Sequence, residues 1–251
     1  MKKLLVVISL LASLLLVTTS ILAFSNIDLQ SKSKLNKDNE PVDKTIFIHY
    51  KDGSIVGIGR VQKSPTCYAL EGVKWNSLPI NYVIGPNALS IVGSLTGATK
   101  TWDDATSKSL FGSYSTDLSA RWETNTPDYK NSYVFGPYSN NNVIAVTNVW
   151  YTRYGKQIVD YDVLFNTYYN WKDCTTTICD TSTTSKDMDL QDIATHETGH
   201  GLGLGDVYNA GCSQVTMYGY ATPGETQKRS LETADIKGIQ RIYGKIRIKN
   251  H

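Results

Sequence analysis

The run His196-Glu197-Thr198-Gly199-His200-Gly201-Leu202-Gly203-Leu204-Gly205-Asp206 constrains this chain more than any other stretch. Residues four apart on an α-helix lie one above the other, so a helix through this run brings the imidazoles of His196 and His200 toward one point, with Glu197 beside them. Two neutral imidazoles placed in that way suit Zn2+, and a carboxylate next to them can take the proton of a water that attacks a carbonyl. The pattern therefore assigns His196 and His200 as ligands and Glu197 as general base. A third protein ligand cannot come from the next turn except at helical spacing. Gly203 offers another route, because glycine tolerates the left-handed backbone that ends helices, so the chain can reverse there and return Asp206 to the metal. Three protein ligands and an open position describe a catalytic site, not a closed structural one.

Together with Val215-Thr216-Met217-Tyr218-Gly219 downstream, the run resembles the metzincin pattern of two histidines, a glycine, a third ligand and a methionine in a turn. The resemblance implies one catalytic Zn2+ on His196, His200 and Asp206, with Met217 as a structural floor that performs no chemistry. Most metzincins carry histidine as the third ligand. Asp206 is similar to the aspartate of secreted microbial metzincins of the snapalysin kind. Tyr218 and Tyr220 flank the place where some metzincins hold a tyrosine near the metal, and packing is the commoner role for such residues.

From Tyr68 onward the chain resembles the matrixin catalytic domain. Val73-Lys74-Trp75 and residues 80–84 look like its opening segment and first strand, residues 158–166 like the strand before the active-site region, and residues 235–244 like its closing helix. In that family an edge strand holds extended substrate by main-chain pairing. The loop after the Met-turn, here residues 220–229, shapes the pocket for the residue that comes after the cut. The fold class expected is α/β, an α+β zincin: one metzincin-like domain with a twisted mixed sheet, an antiparallel edge strand, a long packing helix, the active-site helix and a small irregular C-terminal part.

Local signals agree with that outline. Pro86-Asn87 reads as a helix start, and Ala88, Ile91, Val92, Leu95, Ala98, Trp102 and Ala105 recur at helical spacing. Residues 143–154 and 157–165 alternate as a strand pair turning at Tyr154-Gly155-Lys156. The active-site helix spans residues 190–202, with Asp187 and Asp189 near its positive end. Asp160 and Asp162 admit Ca2+, but alternating acids on the wet face of a strand are commoner, so calcium has no clear motif here.

Met1-Lys2-Lys3 and the apolar residues 4–22 read as a secretory signal ending at Ala23. The runner-up is an uncleaved membrane anchor, since the run approaches the length that spans a bilayer. Hence residues 1–23 are a signal peptide and the protein is secreted. Residues 24–66 form a polar linker and short propeptide, residues 67–244 the catalytic domain, and residues 245–251 a basic tail. Residues 45–50 and 55–61 look like two short strands around Asp52-Gly53, either a propeptide hairpin or an extra edge of the sheet, with the balance toward the former. His49 reads as an exposed strand residue.

The four cysteines, in an exported chain, point to disulfides. Cys174 and Cys179 bracket a short loop and can bridge locally, which leaves Cys67 and Cys212 to pair or to stay free; three connectivities exist. Cys67 is placed where an inhibitory propeptide cysteine could act, yet Ser64-Pro65-Thr66-Cys67-Tyr68 does not reproduce the matrixin inhibitory motif. A formal charge of +2 with no basic run excludes a nucleic-acid partner. The function expected is hydrolysis of internal peptide bonds in a protein or peptide substrate by a monomer. The alternative is a catalytically silent zinc-containing adhesion or binding module, for which an intact Glu197 has no use. A purely structural zinc would need a fourth ligand, and His251 is the remaining candidate.

Overall fold

The structure, a computed structural model, describes residues 40–52 and 66–245, with 89 and 90 described by backbone alone. The signal-peptide run, the linker to residue 39, the second strand of the expected hairpin and nearly all of the basic tail lie outside the described residues. The chain divides into units Met1–Pro41 and Val42–His251, and the strands and helices of the described residues all fall in the second.

Its frame is a seven-stranded mixed sheet. Strands β1 (Val42–Lys51), β3 (Ile80–Ile84), β4 (Phe111–Thr116), β5 (Ser132–Gly136), β6 (Val143–Thr152), β7 (Ile158–Asn166) and β11 (Tyr220–Ala221) stand in the order β11-β1-β6-β7-β5-β3-β4, and two short pairs lie outside it, β2 (Ala69–Leu70) with β10 (Leu204–Gly205) and β8 (Asn170–Lys172) with β9 (Asp187–Asp189). Pairing from β7 through β5 and β3 to β4 is parallel; β6 runs antiparallel to β7, and β1 antiparallel to β6. The central strands β6 and β7 are buried almost throughout, as strands covered on both faces should be.

The antiparallel strand β6 is internal, because β1 pairs along it from Val42↔Thr152 to Tyr50↔Val143. β1 thus joins the main sheet, and its end pairs in parallel with β11, Tyr50↔Tyr220 and Lys51↔Ala221. Alternation predicts a strand there, but which strand it joins depends on long-range register.

The packing helix is shorter than its apolar periodicity implies. Residues Pro86–Ile91 form a 3-10 turn without a side-chain cap, and the α-helix α1 covers Val92–Asp103. Leu95, Ala98 and Trp102 on α1 are fully buried, and Trp102 Nε1 donates to the Thr195 carbonyl at 2.8 Å. That bond fastens α1 to α2 (Leu190–Gly201), the helix carrying His196 and His200. From the sheet side, the Tyr133 hydroxyl meets the Tyr161 hydroxyl at 2.9 Å and Thr198 Oγ1 at 2.8 Å. The helix α3 (Thr233–Tyr243) closes the fold, and its Tyr243 hydroxyl donates to the Leu202 carbonyl at 3.0 Å.

Asp160 and Asp162 are buried, not on a wet face. Asp160 accepts from the backbone N–H groups of Asp128, Tyr129 and Asn131, and Asp162 from those of Glu123 and Ser132. The pair anchors the long loop before β5. Both disulfides form, Cys67–Cys212 and Cys174–Cys179, so Cys67 has no free thiol to offer a metal. No helix among the described residues is long and apolar enough to cross a membrane.

Candidate metal centre

Helix α2 starts where sequence and structure agree that it should. Asp189 is its N-cap and accepts from the Asp192 N–H at 2.9 Å, while the Arg229 guanidinium bridges Asp189 and Asp173 at 2.5 Å each. The helix ends at Gly201, and the chain reverses at Gly203, whose φ is +95°. A Cβ there would also stand 2.3 Å from the Val73 carbonyl oxygen, so both conformation and space require glycine. Beyond the turn, the Val207 N–H donates to the Met217 carbonyl at 2.8 Å and the Gly219 N–H to the Val207 carbonyl at 3.1 Å. The segment carrying Asp206 is thereby tied to the Met-turn.

The three candidate ligands converge. Nε2 of His196 and Nε2 of His200 are 3.1 Å apart, and Asp206 Oδ1 lies 3.2 Å from the first and 3.5 Å from the second. Each imidazole is oriented through its other nitrogen: His196 Nδ1 donates to the Thr216 carbonyl at 2.8 Å and His200 Nδ1 to the Leu204 carbonyl at 2.9 Å. That tautomer leaves both Nε2 atoms as electron-pair donors facing Asp206. Asp206 Oδ1 is buried without a hydrogen-bond donor, whereas Oδ2 accepts from the Tyr208 hydroxyl at 3.1 Å. Two imidazole nitrogens and one carboxylate oxygen aimed at a common point, the oxygen otherwise orphaned, are a donor set that fits Zn2+.

Charge follows the same geometry. Burial drives the His196 imidazolium down to about 4, with His49 adding to the effect. Burial also opposes charge on His200, but the Asp206 carboxylate outweighs it and leaves His200 near 8. Asp206 itself is pushed up by burial and pulled down further by the two histidines, ending well below the usual carboxylate range. Glu197, fully buried, is raised by desolvation.

A family model described as matrixin matches residues 97–244. The chain belongs to the matrixin family. A stretch of 52 residues is 44% identical to human matrilysin, covering 21% of this chain and 18% of that protein, so the match spans less than a fifth of the relative's length. Matrixins are zinc-dependent endopeptidases. In this matrixin the Met-turn lies under α2: Met217 is fully buried against Gly199, and Asp235 on α3 holds the turn by accepting from the Thr216 and Met217 N–H groups at 2.9 and 3.2 Å.

Several residues around this matrixin centre carry no functional signal in the sequence. His49, expected to be exposed, is buried, and its Nδ1 donates to Glu197 Oε1 at 3.0 Å. Phe47 stacks on the His200 ring at 3.9 Å. Thr147 Oγ1 donates to Glu197 Oε2 at 2.5 Å. The tyrosine that reaches the site is Tyr208; Tyr218 and Tyr220 pack on each other, with ring centres 5.7 Å apart. His49 and Phe47 share one strand face by period-two alternation, a signal present in the sequence, but nothing local says which surface that face meets.

Proposed function

We propose that this matrixin hydrolyses internal peptide bonds at the centre formed by His196, His200, Asp206 and Glu197. The observation that supports this most is the convergence of both Nε2 atoms and the unpartnered Asp206 oxygen on one point, with a buried carboxylate one residue from the first ligand. His196, His200 and Asp206 would hold Zn2+, which when bound polarises a carbonyl and acidifies water. Glu197 removes the proton of the attacking water and returns it to the departing amine; its burial and raised affinity for the proton suit that exchange. Thr147 fixes the carboxylate's orientation through Oε2. Met217 supports the floor and takes no part in bond making.

The remaining assignments rest on sequence and are proposed with it: a signal peptide over residues 1–23, secretion, and a catalytic domain over residues 67–244. Two disulfides are in keeping with an oxidising compartment.

Casein hydrolysis and zinc content test the reading together, measured on the intact protein and again after limited trypsin treatment and then a serine-peptidase inhibitor. Hydrolysis by either form that vanishes in Glu197→Ala at unchanged zinc supports it. No hydrolysis by either form at one zinc per chain overturns it and favours the silent binding module.

A further inference from the structure

At the end of the sheet where β3 and β7 begin, a cavity of about 420 Å3 opens to the surface, with Trp75, Ser77, Pro79, Asn81, Tyr129 and Gln157 in its lining. That volume suits a small molecule or a short oligomer. None of His196, Glu197, His200 and Asp206 lines it, so it is separate from the metal centre. No lining residue carries a charge either, which points to a neutral ligand.

Tyr129 stands at the rim, 65% exposed and with φ at +63°. Bulky side chains rarely hold that left-handed conformation. Here it is imposed from beneath, where the buried Asp160 carboxylate accepts from the N–H groups of Asp128, Tyr129 and Asn131 at 2.8, 2.9 and 3.1 Å. The ring takes no part in the hydrophobic core, so the fold gains little from keeping an aromatic residue on a strained backbone. Trp75, also in the lining, is half-buried, and its Nε1 donates to the Gly201 carbonyl at 2.8 Å, which fixes the indole before any ligand arrives.

The polar side chains of the lining are amides and hydroxyls, which both donate and accept. Gln157 Oε1 accepts from Asn76 Nδ2 at 3.2 Å, leaving the Gln157 amide N–H groups to donate. The main chain around the cavity is already paired. The Lys74 N–H donates to the Lys156 carbonyl at 3.1 Å, the Ile158 N–H to the Lys74 carbonyl at 2.8 Å and the Ile80 N–H to the Leu110 carbonyl at 2.7 Å. The Asn131 side chain bridges β3 and β7, donating to the Asn81 carbonyl at 2.8 Å and accepting from the Tyr161 N–H at 3.1 Å. These groups are not free to pair with an extended peptide. A pyranose suits the remaining chemistry: its C–H face is apolar and packs on an aromatic ring, and the hydroxyls at its edge donate and accept.

We propose that this cavity is a carbohydrate-binding site for a short neutral oligosaccharide, with a sugar ring stacked on Tyr129 and its hydroxyls bound by Gln157, Asn81 and Ser77. The site stands whether or not the metal centre is hydrolytic.

The test uses the full chain as wild type, Tyr129→Gly, Gln157→Ala and, as control, Ile178→Ala, whose side chain is exposed in the Cys174–Cys179 loop. The probes are cellotriose, maltotriose and tri-N-acetylchitotriose, with trigalacturonic acid and an octaproline peptide for comparison. Binding is followed by calorimetry and by tryptophan fluorescence, since Trp75 lines the site. The expected result is that wild type and Ile178→Ala bind at least one neutral trisaccharide, that Tyr129→Gly and Gln157→Ala bind it about tenfold more weakly, and that the uronate and the peptide do not bind. Glycine is at ease at a φ of +63°, so Tyr129→Gly should keep the wild-type melting temperature. A fall would make the ring a structural residue and overturn the proposal. So would a wild type that binds no neutral probe, tighter binding of the uronate or the peptide, or unaltered binding in Tyr129→Gly.

Discussion

Met217 lies so close to Gly199 that a Cβ built on the glycine would come within 2.3 Å of the methionine sulfur and 2.9 Å of the Trp102 ring. The turn of α2 between the two histidines is thus pressed onto the Met-turn on one side and α1 on the other. Gly199→Ala should destabilise the fold by about 1–3 kcal/mol, as overpacking does in a tight core. Because the strain falls between His196 and His200, zinc retention should fall with it. Thermal unfolding and zinc content of the variant check both; a melting temperature and metal content equal to wild type would show that the helix can move aside freely.

Tyr208→Phe removes the one hydrogen bond to Asp206 Oδ2 and keeps the ring. Groups that orient a ligand in this way typically affect metal affinity by about 10–100-fold. Competition with a graded series of chelators should show a loss of that size, with little change in thermal stability of the zinc-free protein. The same substitution at Tyr218 or Tyr220, which pack on each other, should leave affinity unaltered.

Asp162 supplies a pH dependence remote from the metal centre. Burial, reinforced by Asp160, pushes its carboxyl up to about 7. The folded state therefore binds this proton more tightly than the unfolded chain does, and the associated stability is full below about pH 4 and lost progressively as pH rises to about 7. Full loss would amount to about 4 kcal/mol at most. Asp162→Asn cannot ionise, so its melting temperature relative to wild type should climb between about pH 4 and 7 and then level off. A difference that stays flat across that range would mean Asp162 is ionised throughout.

The two disulfides close loops of very different length, with sequence separations of 145 and 5. On the chain-entropy model they contribute about 5 and about 2 kcal/mol respectively. Replacing Cys67 and Cys212 together by serine should lower the unfolding midpoint in urea well beyond the effect of replacing Cys174 and Cys179. Equal shifts would place the stabilisation elsewhere than in the unfolded chain.

The centre was legible in sequence because its ligands are local. His196 and His200 are four apart on one helix, Gly203 permits the reversal, and Asp206 comes three residues later, so helix geometry and one glycine conformation fix the convergence with no knowledge of the rest of the molecule. The helix α1, α3 and the β6–β7 pair were legible for the same reason, from periodicity within each segment. The local bridge Cys174–Cys179 belongs with them.

Other features had no local trace. Whether β1 joins a hairpin or the sheet, whether His49 faces water or Glu197, and whether Asp160 and Asp162 line a wet or a buried face are all matters of which surfaces meet across more than 25 residues of sequence. Alternation states that a strand has two faces and is silent on what covers each. Sequence by itself determined which donor atoms converge at the candidate centre, since one helix and one turn supply the spacing that brings His196, His200 and Asp206 together. Only tertiary structure decided that a strand 148 residues away lies across it, because burial is settled by long-range pairing and not by any residue alone.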